Sequence, residues 1–135
     1  MAERFEVTVG AGSLRSVAGD AVCFPHRWTS AGVSVEASFT GAHLLHLAAA
    51  GCVLNDVYRE AAAVGLDLRG VRVVATGGFD PATWQSTGIS YSVEVDADAS
   101  AGEISRLLTT VDQVAEIPQA IRAGAPVSRV GEPGR

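Results

Sequence analysis

The sequence predicts an α+β domain in which a mainly antiparallel sheet wraps one long central helix. Three observations carry this expectation. The segment from Gly41 to Gly65 contains no proline and only one interior glycine, Gly51. Its apolar residues, among them Leu44, Leu47, Val53, Leu54, Val57 and Ala61, point nearly all round a 3.6-residue repeat, as they do in a buried helix. The segment Gly88–Asp96 alternates at period two, with Ile89, Tyr91, Val93 and Val95 on one face and Ser90, Ser92 and Glu94 on the other. Ser100-x-x-Glu103 is a capping box ahead of Ile104, Leu107, Leu108, Val111 and Val114, which share one helical face.

The chain of 135 residues fits a single domain, 1–135, and a hydrophobic fraction of 47% is enough to build a core. A net charge of −5, with every cation an arginine, argues against a nucleic-acid surface, which needs clustered positive charge. The long helix carries Asp56, Arg59 and Glu60, which leaves too short an apolar run to span a bilayer. No charged and then apolar leader opens the sequence, so a cytoplasmic location is expected, with reduced thiols. Cys23 and Cys52 match neither a Cys-x-x-Cys word nor a zinc spacing. No glycine-rich phosphate loop follows a strand, so neither cofactor nor metal is expected.

Taken in order, Phe5–Val9 alternates as a half-buried strand, which Gly10 and Gly12 are expected to break before a second short strand at Ser13–Val17. Gly19-Asp20 reads as a turn, Ala21–Phe24 as a short apolar run, and Pro25–Ser30 as a loop. Gly32–Ala37 is a strand leading into the long helix, which Gly65 terminates. A strand centred on Val71–Thr76 is expected to end or bulge at Gly77-Gly78, and Phe79–Thr87 connects it to the strand at Gly88. Pro118 ends the second helix or starts another over Gln119–Arg122. Ala125–Val130 is extended, and 131–135 is a frayed tail.

Specific words within this order resemble the OsmC/Ohr family, the osmotically inducible protein C-like and organic hydroperoxide resistance proteins. They are Leu44-Leu45 followed by Ala48-Ala-Ala-Gly-Cys52, then Gly65-Leu66 ahead of Val71-x-Val73, and the terminal Pro126-Val-Ser-Arg129. The resemblance runs from about Phe5 to Val130 and marks the chain as a divergent member. It implies an intertwined homodimer whose long helices lie centrally, and thiol-dependent reduction of small apolar hydroperoxides at the dimer interface. Cys52 matches the nucleophile, and Arg15 takes the place of the cation that stabilises the thiolate. Family members orient that cation with a glutamate and resolve the oxidised thiol with a second cysteine. Here Ala42 and Ala125 stand at those positions, which implies a one-cysteine cycle with a small-thiol reductant. The alternative is a catalytically inactive dimer that binds a small apolar ligand at its interface, with Cys52 as packing.

The residues themselves leave further choices open. Cys23 in a short apolar run is either a sheet residue or a resolving thiol. Asp56, one helical turn beyond Cys52, disfavours a thiolate if it points at the sulfur. His43 and His46 either cap the helix entrance and line a wet interface or approach a partner's site. Trp28 and Trp84 either cover the edge of the core or line an apolar pocket.

Overall fold

The computed structural model describes residues 3–131, and most of the tail expected at 131–135 lies outside them. Five strands form one antiparallel sheet: β1 (Val7–Gly12), β2 (Val22–Phe24), β3 (Val33–Glu36), β4 (Leu68–Phe79) and β5 (Ser86–Ala97). Their order across the sheet is β2-β3-β1-β4-β5. The helix α1 (Gly41–Ala63) lies across one face, and α2 (Ala101–Val114) and α3 (Glu116–Ala123) follow β5. The expected α+β class and antiparallel sheet are therefore present.

Period two decides which side of the sheet faces the helix. Val7, Val9 and Ala11 of β1, Val33 and Val35 of β3, and Val71, Val73 and Ala75 of β4 are all buried. They meet Ala50, Val53, Leu54, Val57 and Ala61 of α1 in one cluster, which Leu107 and Val111 of α2 close from the side. The opposite face is polar, carrying Thr8, Ser34, Glu36, Arg72, Glu94 and Ser92 at the alternate register positions. The alternation read for β5 holds, since Tyr91, Val93 and Val95 pair with the inward Ala75, Val73 and Val71.

Two local expectations need correction. β1 does not break at Gly10 but runs to Gly12, and no strand forms at Ser13–Val17. The chain folds back over itself there: a Cβ on Gly10 would overlap the Leu14 carbonyl, and Gly12, at φ +62°, lies against the Arg69 carbonyl. These glycines mark close backbone approach inside and at the end of a strand. At Gly77-Gly78 the expected irregularity is present: β4 continues to Phe79 with a shift in register between Gly77 and Phe79. Lastly, β5 begins at Ser86, so the β4–β5 connection is shorter than the expected Phe79–Thr87.

The helix ends follow their caps. Thr40 Oγ1 accepts from His43 N, and Gly65 lies beyond the α1 terminus with φ +71°. Ser100 and Glu103 form the reciprocal capping box of α2. Pro118 sits in the first turn of α3, where a missing N–H costs nothing.

His46 departs from both expectations for it. It is fully buried, stacked near Phe5 and edge-on to Phe79, with Nδ1 2.6 Å from the Ala42 carbonyl. His43 does lie at the helix entrance, 2.7 Å from Thr40 Oγ1. No helix among the described residues is long and apolar enough to cross a membrane.

Candidate functional site

Cys52 lies near the middle of α1 on the side turned toward α3, and it is half-buried. Asp56 follows one turn later on the same face, as the i,i+4 spacing requires. The sharp bend at Ala115 brings the start of α3 over this face and adds Glu116. One ligand-type atom each from Cys52, Asp56 and Glu116 lies within 4.8 Å of the others.

The electrostatics of this cluster are mixed. Partial burial raises the Cys52 thiol above its ordinary 9.0, and the charges of Asp56 and Glu116 push the same way. The backbone amides of Ile117 and Glu116, at the open start of α3, oppose them. Asp56 is only 3% exposed, and that burial raises its carboxyl above the usual 3.8. Arg59 opposes the shift, with Nη2 3.1 Å from Asp56 Oδ2, while contact with Glu116 adds to it. The thiol thus faces two acids, with Arg59 a turn away on the far side of Asp56.

Two hollows flank this part of α1. One, of about 270 Å³, lies between α1, β5 and α3 and is lined by Ala49, Ile89, Tyr91, Pro118, Ile121 and Arg122. Ala49, which lines this mostly apolar space, precedes Cys52 by one turn of α1. The other, of about 300 Å³, lies between α1 and the β2–β3 edge, and Phe24, Trp28, Leu47 and Leu54 contribute to its walls. His26 closes it, with Nε2 3.0 Å from Asn55 Oδ1. Trp28 therefore lines a pocket, whereas Trp84 is 77% exposed in the β4–β5 turn with φ +61°.

Arg15 and Cys23 are not brought to Cys52 within one chain. Arg15 lines a polar hollow with Thr8, Gly10, Ser34 and Arg72, on the sheet face away from α1. Cys23 pairs in register with Ser34, which hydrogen-bonds to the Gly10 carbonyl, so it points to that same outer face. Both cysteines are free.

The sequence pattern of the OsmC-like protein family matches residues 26–129. The chain belongs to the OsmC-like family. The fold agrees: an OsmC-like hydroperoxide resistance protein from Jannaschia sp. CCS1 superposes with a TM-score of 0.62 at 9% identity, over 98% of this chain and 96% of that one. No sequence match is found among curated proteins.

Within this OsmC-like chain, Glu116 is the site residue that sequence reasoning missed. Cys52 and Asp56 were legible as an i,i+4 pair, but nothing local to Glu116 shows that a bend after α2 returns it to α1. Asp56 also yields a prediction about stability. Its raised carboxyl binds a proton more tightly folded than unfolded, so its favourable contribution is complete below pH 3.8 and is lost as pH rises through the raised value. At neutral pH a buried charge remains, offset only by a half-exposed i,i+3 partner worth about 0.3–0.5 kcal/mol. Asp56→Asn is expected to raise the melting temperature at pH 7, by about 4 °C for each ~1 kcal/mol gained. Thermal melts across pH should show the gain vanishing toward acid.

Proposed function

We propose that this OsmC-like protein is a thiol-dependent organic hydroperoxide reductase that works with Cys52 alone and a small-thiol reductant. The observation that supports it most is a half-exposed cysteine on α1 beside the amide-bearing start of α3, one turn after Ala49 in the wall of an apolar hollow. In the first step the Cys52 sulfur attacks the distal peroxide oxygen, the O–O bond breaks, and the alkoxide leaves. The thiol proton ends on the departing alcohol, and sulfur is oxidised to sulfenic acid. A small thiol then condenses with the sulfenic acid and releases water. A second equivalent attacks the mixed disulfide, which restores Cys52 and leaves the reductant as its disulfide.

The reading takes the chain as a homodimer. Exposed Val22 and Phe24 beside the β2 edge supply apolar surface for a partner. Arg15, on the far side of its own sheet, would reach a thiol only across such a contact.

Intact-mass analysis after a stoichiometric pulse of cumene hydroperoxide tests the proposal. One oxygen added to wild type, and none to Cys52→Ser, is the expected result. If Cys52 stays reduced while a free model thiol is consumed, the peroxidase reading fails. The raised thiol also sets the pH dependence: the addition rate should climb about tenfold per pH unit from neutral, with no plateau below pH 9.0. Glu116→Gln removes one of the charges that hold the thiol up, so its rate at neutral pH should exceed that of wild type severalfold.

A second reading rests on the same pair of acids. Two carboxylates beside a thiol favour its neutral form, and a neutral Cys52 is apolar packing. The chain would then be a catalytically inactive dimer that binds a small apolar ligand, for which the hollow walled by Phe24, Trp28 and Leu47 provides the space.

A further inference from the structure

The hollow between α1 and the β2–β3 edge is apolar at its floor and positive at its rim. Val9 of β1, Val33 and Val35 of β3 and Leu54 of α1 form the floor, and all four lie in the buried core. Phe24 and Trp28 supply aromatic walls. The residues lining it include no carboxylate, and their one full charge is the exposed Arg27 guanidinium. In a chain with fifteen acidic residues and ten arginines, that is a local reversal of sign.

The polar groups at this rim are donors. The Arg27 guanidinium lies 5.5 Å from the centre of the Trp28 ring and makes no ion pair among the described residues. Asn55 Oδ1 is engaged by His26 Nε2 at 3.0 Å, which leaves the Asn55 amide NH₂ to donate elsewhere. His26 is held on its other side as well, with Nδ1 2.7 Å from Thr29 Oγ1. A planar cationic fork beside a second donor, with no acid to satisfy either, matches a carboxylate. Gly51 is an independent observation. It is the one glycine in the interior of α1, where glycine is less favourable than alanine. It lines the hollow, and a Cβ on it would meet no atom within 4 Å. Packing within the chain gives no reason for glycine there, and the absent side chain leaves the hollow open.

We propose that this hollow binds a small apolar monocarboxylic acid, its tail against Val33, Val35 and Leu54 and its carboxylate on Arg27, with the Asn55 amide as second donor. At about 300 Å³ the space stands at the lower end of ligand pockets, about 300–1,000 Å³, which limits the acid to a short chain. The competing occupant is a second copy of this chain, but an apolar partner surface laid over Arg27 would bury its charge unpaired. The inference rests on the hollow of the second reading and adds the head group that it selects. It does not require Cys52 to react.

The test is fluorescence titration of the full chain carrying Trp84→Phe, in which Trp28 is the sole tryptophan. The probes are sodium hexanoate, heptanoate and octanoate, with octanol and octylamine as the neutral and cationic counterparts of the last. Saturable binding of the acids is expected, tightening about fourfold per added CH₂, as about 0.8 kcal/mol for each buried methylene requires. Octanoate should bind about tenfold or more tighter than octanol or octylamine, the gain that a hydrogen bond to a charged group supplies. Arg27→Gln should remove the preference for octanoate and leave octanol binding in place. Gly51→Ala should weaken binding severalfold and Gly51→Leu should abolish it, with thermal melts no lower than the parent because both side chains enter open space. Cys52→Ser should bind octanoate as the parent does, which separates this inference from the peroxidase reading. Equal affinity for acid, alcohol and amine overturns the proposal and leaves a purely apolar site. Undiminished binding in Gly51→Leu overturns the location. Absence of saturable binding overturns it altogether, and a dimer that dissociates on Gly51→Leu would then identify a second copy as the occupant.

Discussion

Replacing Cys52 by serine is expected to abolish hydroperoxide-dependent oxidation of small thiols, with no residual turnover above the uncatalysed rate. Serine keeps the shape and the place on α1 but not the chemistry. A hydroxyl beside two acids stays protonated, and oxygen is not oxidised to the equivalent of a sulfenic acid. The fold should tolerate the change. Cys52 is half-buried at the edge of the core cluster, so a stability loss within about 1 kcal/mol is expected, as for substitutions outside the core. A coupled assay with a monothiol reductant, run beside a thermal melt, measures both. Cys23→Ser should retain full turnover, because Cys23 lies on the outer face of the sheet and resolves nothing. A Cys52→Ser variant that still consumed hydroperoxide would remove the nucleophile from the proposal.

Gly77→Ala is expected to produce a large loss of stability, about 3 kcal/mol. Overpacking in a full core typically costs about 1–3 kcal/mol, and this position stands at the upper end for a structural reason. A Cβ on Gly77 would overlap the Gly88 carbonyl on one side and the His46 ring at Nε2 on the other. The carbonyl belongs to the neighbouring strand and cannot swing away. The imidazole is wedged between Phe5 and Phe79 with Nδ1 tied to the Ala42 carbonyl, so it cannot turn aside either. Urea unfolding of Gly77→Ala should show the lowered midpoint. His46→Ala in the same chain should recover part of the loss, since it removes one of the two collisions.

How much of this was legible in the sequence differs between fold and site. The period-two alternation at β5, the capping box at Ser100 and the apolar wrap of α1 each describe local geometry, and each element formed where its pattern lay. The errors came at glycines. Gly10 read as a strand breaker, but it is a place where the Leu14 carbonyl passes too close for a side chain. Sequence shows the missing Cβ and not the neighbour that excludes it. The same limit applies to the site. The family words pointed to Cys52, and helical spacing attached Asp56 to it, but Glu116 arrives through tertiary structure. His46 was misread for a related reason, because only packing reveals that Phe5 and Phe79 enclose it.

The attachment of α3 has a consequence for timing. Eight residues long, with Pro118 as its one buried residue, it is held by the Arg122–Asp112 ion pair at 3.1 Å and few other contacts. Asp112 also accepts from the Tyr91 hydroxyl on β5, and burial together with that hydrogen bond pushes the phenol up to about 12. This short helix carries both the amides that favour the Cys52 thiolate and the acid that opposes it. Small, weakly packed units of this kind open independently of the rest of the molecule. Lifting α3 away would therefore take both the amides and the acid from the thiol at once.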